Sequence, residues 1–105
     1  MNKIDEFNYF NDLIPLYKNL LTLKQQEVIE KYFIYNLSLS EIAEILMISK
    51  AGVNDHLEHA KQNLLGYEDK LHILKKLRLL EKDIENLNIT KEEKEKLIKD
   101  LYYGI

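Results

Sequence analysis

His56 and His59 stand three residues apart, a spacing that could place two imidazoles on one helix face as a metal-ligand pair. The chain holds no cysteine, and no third ligand is placed by spacing, so both histidines read as surface or rim residues. There is no glycine-rich phosphate loop, no nucleophile elbow and no carboxylate pair of catalytic type. The residues therefore predict no catalytic site, no metal and no cofactor, and the chain reads as a non-enzyme. The chemistry that remains is recognition. Lys50 opens a short helical stretch, where a phosphate or guanine contact is natural, and Asn54 one turn on has the amide that reads an adenine edge. Ala51, Asp55, Glu58, Lys61 and Gln62 share this outward surface, giving a candidate recognition-helix face. Asp55 and Glu58 oppose such a use, because a carboxylate within ~5 Å of a phosphate is repelled by ~1 kcal/mol even at water-like dielectric. Lys50 and Lys61 only balance them.

The element that must position these residues runs from Ser38 to Leu65. Ser38 and Glu41 have capping-box spacing, and Leu39, Ile42, Ala43 and Leu46 follow at helical spacing. Ser49 is a second N-cap, after which Val53, Leu57, Ala60 and Leu64 step by four, three and four. Two capped helices joined through Met47–Ile48 make a helix-turn-helix, whose second helix can enter a major groove.

Upstream, Thr22 with Gln25 predicts a helix from Leu23 to Asn36 carrying Val28, Ile29, Tyr32, Phe33 and Tyr35. Asp12 as N-cap would put Pro15 in the first turn of a helix over Leu13–Leu21, where its missing N–H costs nothing. A longer helix that includes Pro15 is the alternative, with residues 1–10 as a frayed helix or an arm on the core. Downstream, Gly66 is a candidate C-cap. A long helix follows over Tyr67–Leu87, with Ile73, Leu77, Leu80, Ile84 and Leu87 at heptad spacing. Thr90 with Glu93 opens a last helix to Tyr103, ended by Gly104. The expected architecture is all-α: a single helical domain over 1–105, with a tri- to tetrahelical helix-turn-helix core at 12–65, no wing, and a helical extension at 67–103. The extension carries more leucine and isoleucine than a small domain normally leaves in water. Two readings stay open: it folds back on the core, or it joins a second copy in a homodimer through these C-terminal helices.

Net charge opposes the obvious use of the motif. The chain carries −3 overall; residues 1–60 hold five lysines against nine acids, and residues 61–105 hold ten basic residues against nine acids. Phosphate neutralisation supplies most non-specific DNA affinity, yet the half with the helix-turn-helix is the acidic one. The basic residues concentrate instead in Lys70, Lys75, Lys76, Arg78 and Lys82, a candidate partner face for RNA or an acidic protein surface, with a solvated helix face as the plainer reading. No apolar run approaches the ~20 residues of a membrane span. The start, MNKIDEFNYF, lacks a signal peptide's apolar centre, which predicts a cytoplasmic protein.

The run LTLKQQEVIEKYFIYNLSLSEIAEILMISKAGVNDHLEHAKQNLLGYEDKL resembles the YlxM family of helix-turn-helix proteins associated with the signal recognition particle. LSLSEIAE and GYEDKL are its most specific pieces, and the resemblance covers about Leu16 to Leu80. The first part also resembles the fourth region of bacterial sigma factors, which implies a sigma region 4-like helix-turn-helix. The family resemblance implies a regulatory or interaction role in the protein-targeting pathway, with the particle's GTPase or its RNA as partner and no enzymatic activity. Two positions depart from the sigma-like pattern. The second helix lacks the several Arg or Lys of a DNA reader. Met47 occupies a turn position that favours glycine, where a left-handed non-glycine backbone costs about 1–2 kcal/mol, so a slightly different turn is expected. DNA binding is therefore disfavoured. A DNA-binding transcriptional regulator using helix 50–64 remains the alternative function.

Overall fold

The computed structural model describes residues 2–104, which form helices and turns with no strand among them. The chain divides after Leu71 into two compact units, one of four helices and one of two. The first holds α1 (Lys3–Tyr17), a short 3-10 turn (Lys18–Leu20), α2 (Leu23–Phe33), α3 (Leu39–Leu46) and α4 (Lys50–Leu71). The second holds α5 (Ile73–Glu85) and α6 (Lys91–Leu101). The all-helical fold with a helix-turn-helix matches what periodicity and caps predict.

Helix starts are where the sequence signal is strongest, because each cap is a local bond between side chain and backbone. Ser38 Oγ accepts from the Glu41 N–H at 3.1 Å while the Glu41 carboxylate accepts from the Ser38 N–H at 3.0 Å. That bonding also holds the Glu41 pKa below the usual carboxylate value. Thr22 with Gln25 and Thr90 with Glu93 form the same reciprocal box. Ser49 Oγ accepts from the Gly52 N–H at 2.9 Å, so the starts expected at Thr22, Ser38, Ser49 and Thr90 are capped, whereas Asp12 lies inside α1 and caps nothing.

Helix ends depart from expectation at three places. α1 begins at Lys3, not Leu13: Asn2 caps it by accepting from the Asp5 N–H at 2.8 Å, and Pro15 lies inside its last turn. The longer of the two alternatives is the one observed. Phe7 and Phe10 explain it, because both rings pack on Phe33 of α2 at 4.9 Å between centroids and make this segment part of the core. Met1 lies outside the described residues. α2 stops at Phe33 instead of Asn36, since Asn36 adopts a left-handed backbone (φ 56°) and the Leu37 N–H turns back to the Lys31 carbonyl.

The third departure matters most for function. Gly66 does not end the second helix of the helix-turn-helix; α4 runs through it without interruption to Leu71. The buried line Val53, Leu57, Ala60 and Leu64 simply continues into Glu68. The break falls at His72, which takes φ 55° between α4 and α5. Histidine tolerates this region better than most non-glycine residues, and nothing in its local sequence announces the break. Gly66 is thus an interior helical glycine, and an added Cβ there would meet no atom within 4 Å. Gly66→Ala is expected to stabilise the chain by about 0.5–1 kcal/mol, read as a rise of a few degrees in the thermal unfolding midpoint.

In the four-helix unit α4 packs against α1, α2 and α3. Leu13, Ile14, Val28, Ile29, Ile42 and Val53 are essentially inaccessible to solvent at its centre. α4 is therefore held on three sides, leaving one strip outward. In the second unit, α5 and α6 form a helical hairpin, in which the Lys94 ammonium donates to the Glu85 carbonyl at 2.7 Å and so satisfies one orphan group at the end of α5. Leu74 and Leu77 are buried, whereas no side chain of α6 is fully buried.

Candidate interaction surface on the helix-turn-helix

The turn between α3 and α4 fixes how α4 is set against α3. Met47 itself takes the left-handed conformation, φ 58° and ψ 42°, and its N–H together with that of Ile48 bonds back to the Ala43 carbonyl. The expectation of a changed turn is corrected here: methionine adopts the backbone that glycine usually supplies. It can do so because its side chain is 89% exposed and has room to stand clear of the strained backbone. Met47→Gly is expected to relieve this strain and stabilise the chain by about 1 kcal/mol, measured by chemical denaturation. An unchanged or lower midpoint would show that the methionine side chain contributes contacts worth as much as the strain.

Along α4, Lys50, Ala51, Asn54, Asp55, Glu58 and Gln62 are exposed. Lys61 is not. Its side chain is 20% exposed and folds back, its ammonium 2.8 Å from the Glu6 carboxylate of α1 and 3.6 Å from Glu58. The same ammonium lies 5.7 Å from the centre of the Phe10 ring, a cation–π distance. Partial burial pulls the Lys61 pKa down, but the hydrogen bond it donates to Glu6 and the charges of Glu58 and Glu6 outweigh it and leave the pKa above the usual lysine value. Lys61 is thus a fixed cation serving the α1–α4 contact, at the edge of an open cleft of about 240 Å³ lined by Glu6, Tyr9, Phe10, Glu58, Lys61, Gln62 and Leu65.

Removing Lys61 from the outward strip changes its electrostatics. Lys50 is left against Asp55, with Glu58 paired to Lys61, and the neighbouring α3 exposes Glu41, Glu44 and Ile45 beside Met47. The strip joins acidic to apolar groups.

The basic residues read as one face fall in different units. Lys70 ends α4, while Lys75, Lys76, Arg78 and Lys82 lie on α5. The reason is the break at His72, which the expected continuous helix over 67–87 did not contain. Lys75, Arg78 and Lys82 follow at three and four residues and share one exposed ridge, with Lys76 about 100° round the helix. His56 is half-buried and His59 exposed, and no group of three metal-binding side chains occurs among the described residues. No described helix is long and apolar enough to cross a membrane.

Two features carry no signal in the sequence. The Tyr17 hydroxyl donates to the buried Glu68 carboxyl at 2.6 Å across 51 residues. Glu68 reads in sequence as one more solvated charge on a helix face. Glu6 and Phe10, which hold Lys61, lie in a segment whose ordering depends on Phe33, a contact local periodicity does not reveal.

The chain matches the model of the UPF0122 family, described as "Putative helix-turn-helix protein, YlxM / p13 like", over residues 4–102. The chain belongs to this family. The match begins within α1 and ends just beyond α6, so both units are part of the family pattern. A UPF0122 protein of Caldanaerobacter subterraneus is 43% identical over 79% of this chain and 71% of its own length. A UPF0122 protein of Fusobacterium nucleatum is 36% identical over 93% of this chain and 97% of its own. One from Mycoplasma capricolum is 35% identical over 95% and 88% respectively. No solved structure is significantly similar to the chain.

Proposed function

We propose that this protein is a non-enzymatic regulatory or interaction component of the signal recognition particle pathway, working through protein or RNA contacts on a helix-turn-helix scaffold. The observation that supports this reading is the charge of the outward strip of α4: Lys61 is drawn back between Glu6 and Glu58, which leaves Lys50 as the exposed cation against Asp55. A duplex phosphate chain meeting that strip gains little neutralisation, and neutralisation is the main source of DNA affinity. The exposed Ile45 and Met47 beside it suit a protein partner, methionine being able to repack against different apolar surfaces. The ridge of Lys75, Arg78 and Lys82 supplies the complementary chemistry, for RNA phosphates or an acidic protein surface. The link to the particle rests on the family resemblance.

The test is a pair of titrations at about 150 mM ionic strength, one with random duplex DNA and one with the particle's GTPase, with and without its RNA. Saturable binding to the particle with no duplex binding is expected. The second reading, a DNA-binding regulator using Lys50–Leu64, is favoured by the left-handed turn at Met47, which keeps the presentation that a groove-binding helix needs. Duplex binding that falls steeply with salt and disappears in Lys50→Ala/Asn54→Ala would establish that second reading and overturn the first.

A further inference from the structure

A single exposed apolar side chain on a small domain needs no explanation, but Met47 does. It stands 89% exposed on a left-handed backbone (φ 58°), which a methionine holds at a cost that glycine would avoid. A strained residue whose side chain lies outside the core points to a use beyond the fold itself. Ile45, two residues before it on α3, is 56% exposed. Glu41, Glu44 and Ile45 stand three and four residues apart and so share one exposed face of α3.

The charge around these two apolar groups is predominantly of one sign. Residues 37–60 hold four acids, Glu41, Glu44, Asp55 and Glu58, against one lysine, Lys50. Glu58 is paired with Lys61, and the Glu41 carboxylate is fixed by the Ser38 N–H at the start of α3. Glu44 and Asp55 make no ion pair among the described residues. Carboxylates bordering exposed apolar side chains are complementary to cations bordering an apolar stripe, which is the pattern of a basic amphipathic helix. A phosphate chain, by contrast, is repelled by the same carboxylates. The eight residues of α3 span about 12 Å, room for two turns of such a helix.

We infer that the α3 face made by Glu41, Glu44, Ile45 and Met47 docks a basic amphipathic helix of a protein partner. The apolar stripe of that helix covers Ile45 and Met47, and its flanking cations meet Glu41 and Glu44, with Asp55 on α4 adding to the negative field. The inference rests on the reading of this protein as an interaction component and names the chemistry of its partner.

The probe is a fluorescein-labelled helical peptide of about 18 residues, with leucines at i, i+3, i+4 and i+7 and arginines on both flanks. Fluorescence anisotropy at about 150 mM ionic strength follows its binding to the full chain, with a dissociation constant near roughly 20 μM expected. The same peptide with glutamates for arginines is expected to bind at least about tenfold more weakly. Ile45→Asp is expected to weaken binding about tenfold and Glu44→Lys about threefold. Met47→Gly gives the sharpest readout: it is expected to stabilise the fold and yet weaken peptide binding about fivefold. All three positions are exposed, so the helical circular dichroism of wild type is expected in each variant. No saturation by about 500 μM would overturn the inference, as would equal binding of the acidic peptide or indifference to Ile45→Asp and Met47→Gly. Displacement of the peptide by random duplex DNA would also overturn it and assign the face to nucleic acid. The pathway reading fails separately: a chain that binds the peptide through this face but ignores the particle would sink that reading alone. A particle that binds wild type and Ile45→Asp equally would sink only the docking face.

Discussion

Replacing Phe33 by alanine is expected to cost about 4 kcal/mol, within the 3–5 kcal/mol typical of buried aromatic truncation. Phe33 is 3% exposed and joins three rings: Phe7 edge-on, Phe10 stacked and Tyr32 edge-on, each at 4.9 Å between centroids. No other side chain in the four-helix unit makes as many ring contacts among those the structure describes. Domains of this size are typically stable by only 5–15 kcal/mol, so the loss would lower the unfolding midpoint by more than about 15 °C. The effect should also be local. Residues 3–12 of α1 are anchored by Phe7 and Phe10, and their amide hydrogens are expected to exchange faster in Phe33→Ala than those of α2 and α3. Uniform acceleration across the whole unit would mean that α1 docks by other contacts. Such loosening would also release Lys61, because α1 carries the Glu6 that pairs with it.

Tyr17→Phe is expected to produce the second largest effect for the smallest change in shape. The variant deletes one hydroxyl, yet that hydroxyl lies in a residue 1% exposed and donates to Glu68, itself 7% exposed. Taking the donor away from a buried carboxyl leaves its acceptor less well satisfied, at a cost of about 2 kcal/mol. Tyr67→Phe is the matched control. Its hydroxyl donates to the Leu20 carbonyl at 3.1 Å in an exposed setting, where water can replace it, and less than about 0.5 kcal/mol is expected to be lost. Equal midpoints for the two variants, followed by urea denaturation, would show that the Tyr17–Glu68 bond is no stronger than its exposed counterpart. The pair fastens α4 to α1 two residues beyond Gly66, and so helps to explain why the helix continues there.

The helix-turn-helix and the caps at Thr22, Ser38, Ser49 and Thr90 are written in local patterns. A capping box needs residues three apart, and an amphipathic face needs residues three and four apart, so both survive without knowledge of the rest of the fold. The start of α4 and its buried line are legible for the same reason, since α4 begins one residue after Ser49 and the line is set by its own periodicity. Tertiary structure decided what local pattern leaves open. It carried α4 through Gly66, because contacts such as Tyr17 to Glu68 outweigh a glycine's preference for helix ends. It ended the helix at His72, a residue with no stop signal. It ordered the first turns of α1 by setting two phenylalanines on Phe33. Above all it decided that Lys61 belongs to the interior side of α4. Sequence counts that lysine among the outward charges, whereas the fold places Glu6 and the Phe10 ring within its reach, and an ion pair reinforced by an aromatic face holds a long flexible cation better than water alone does.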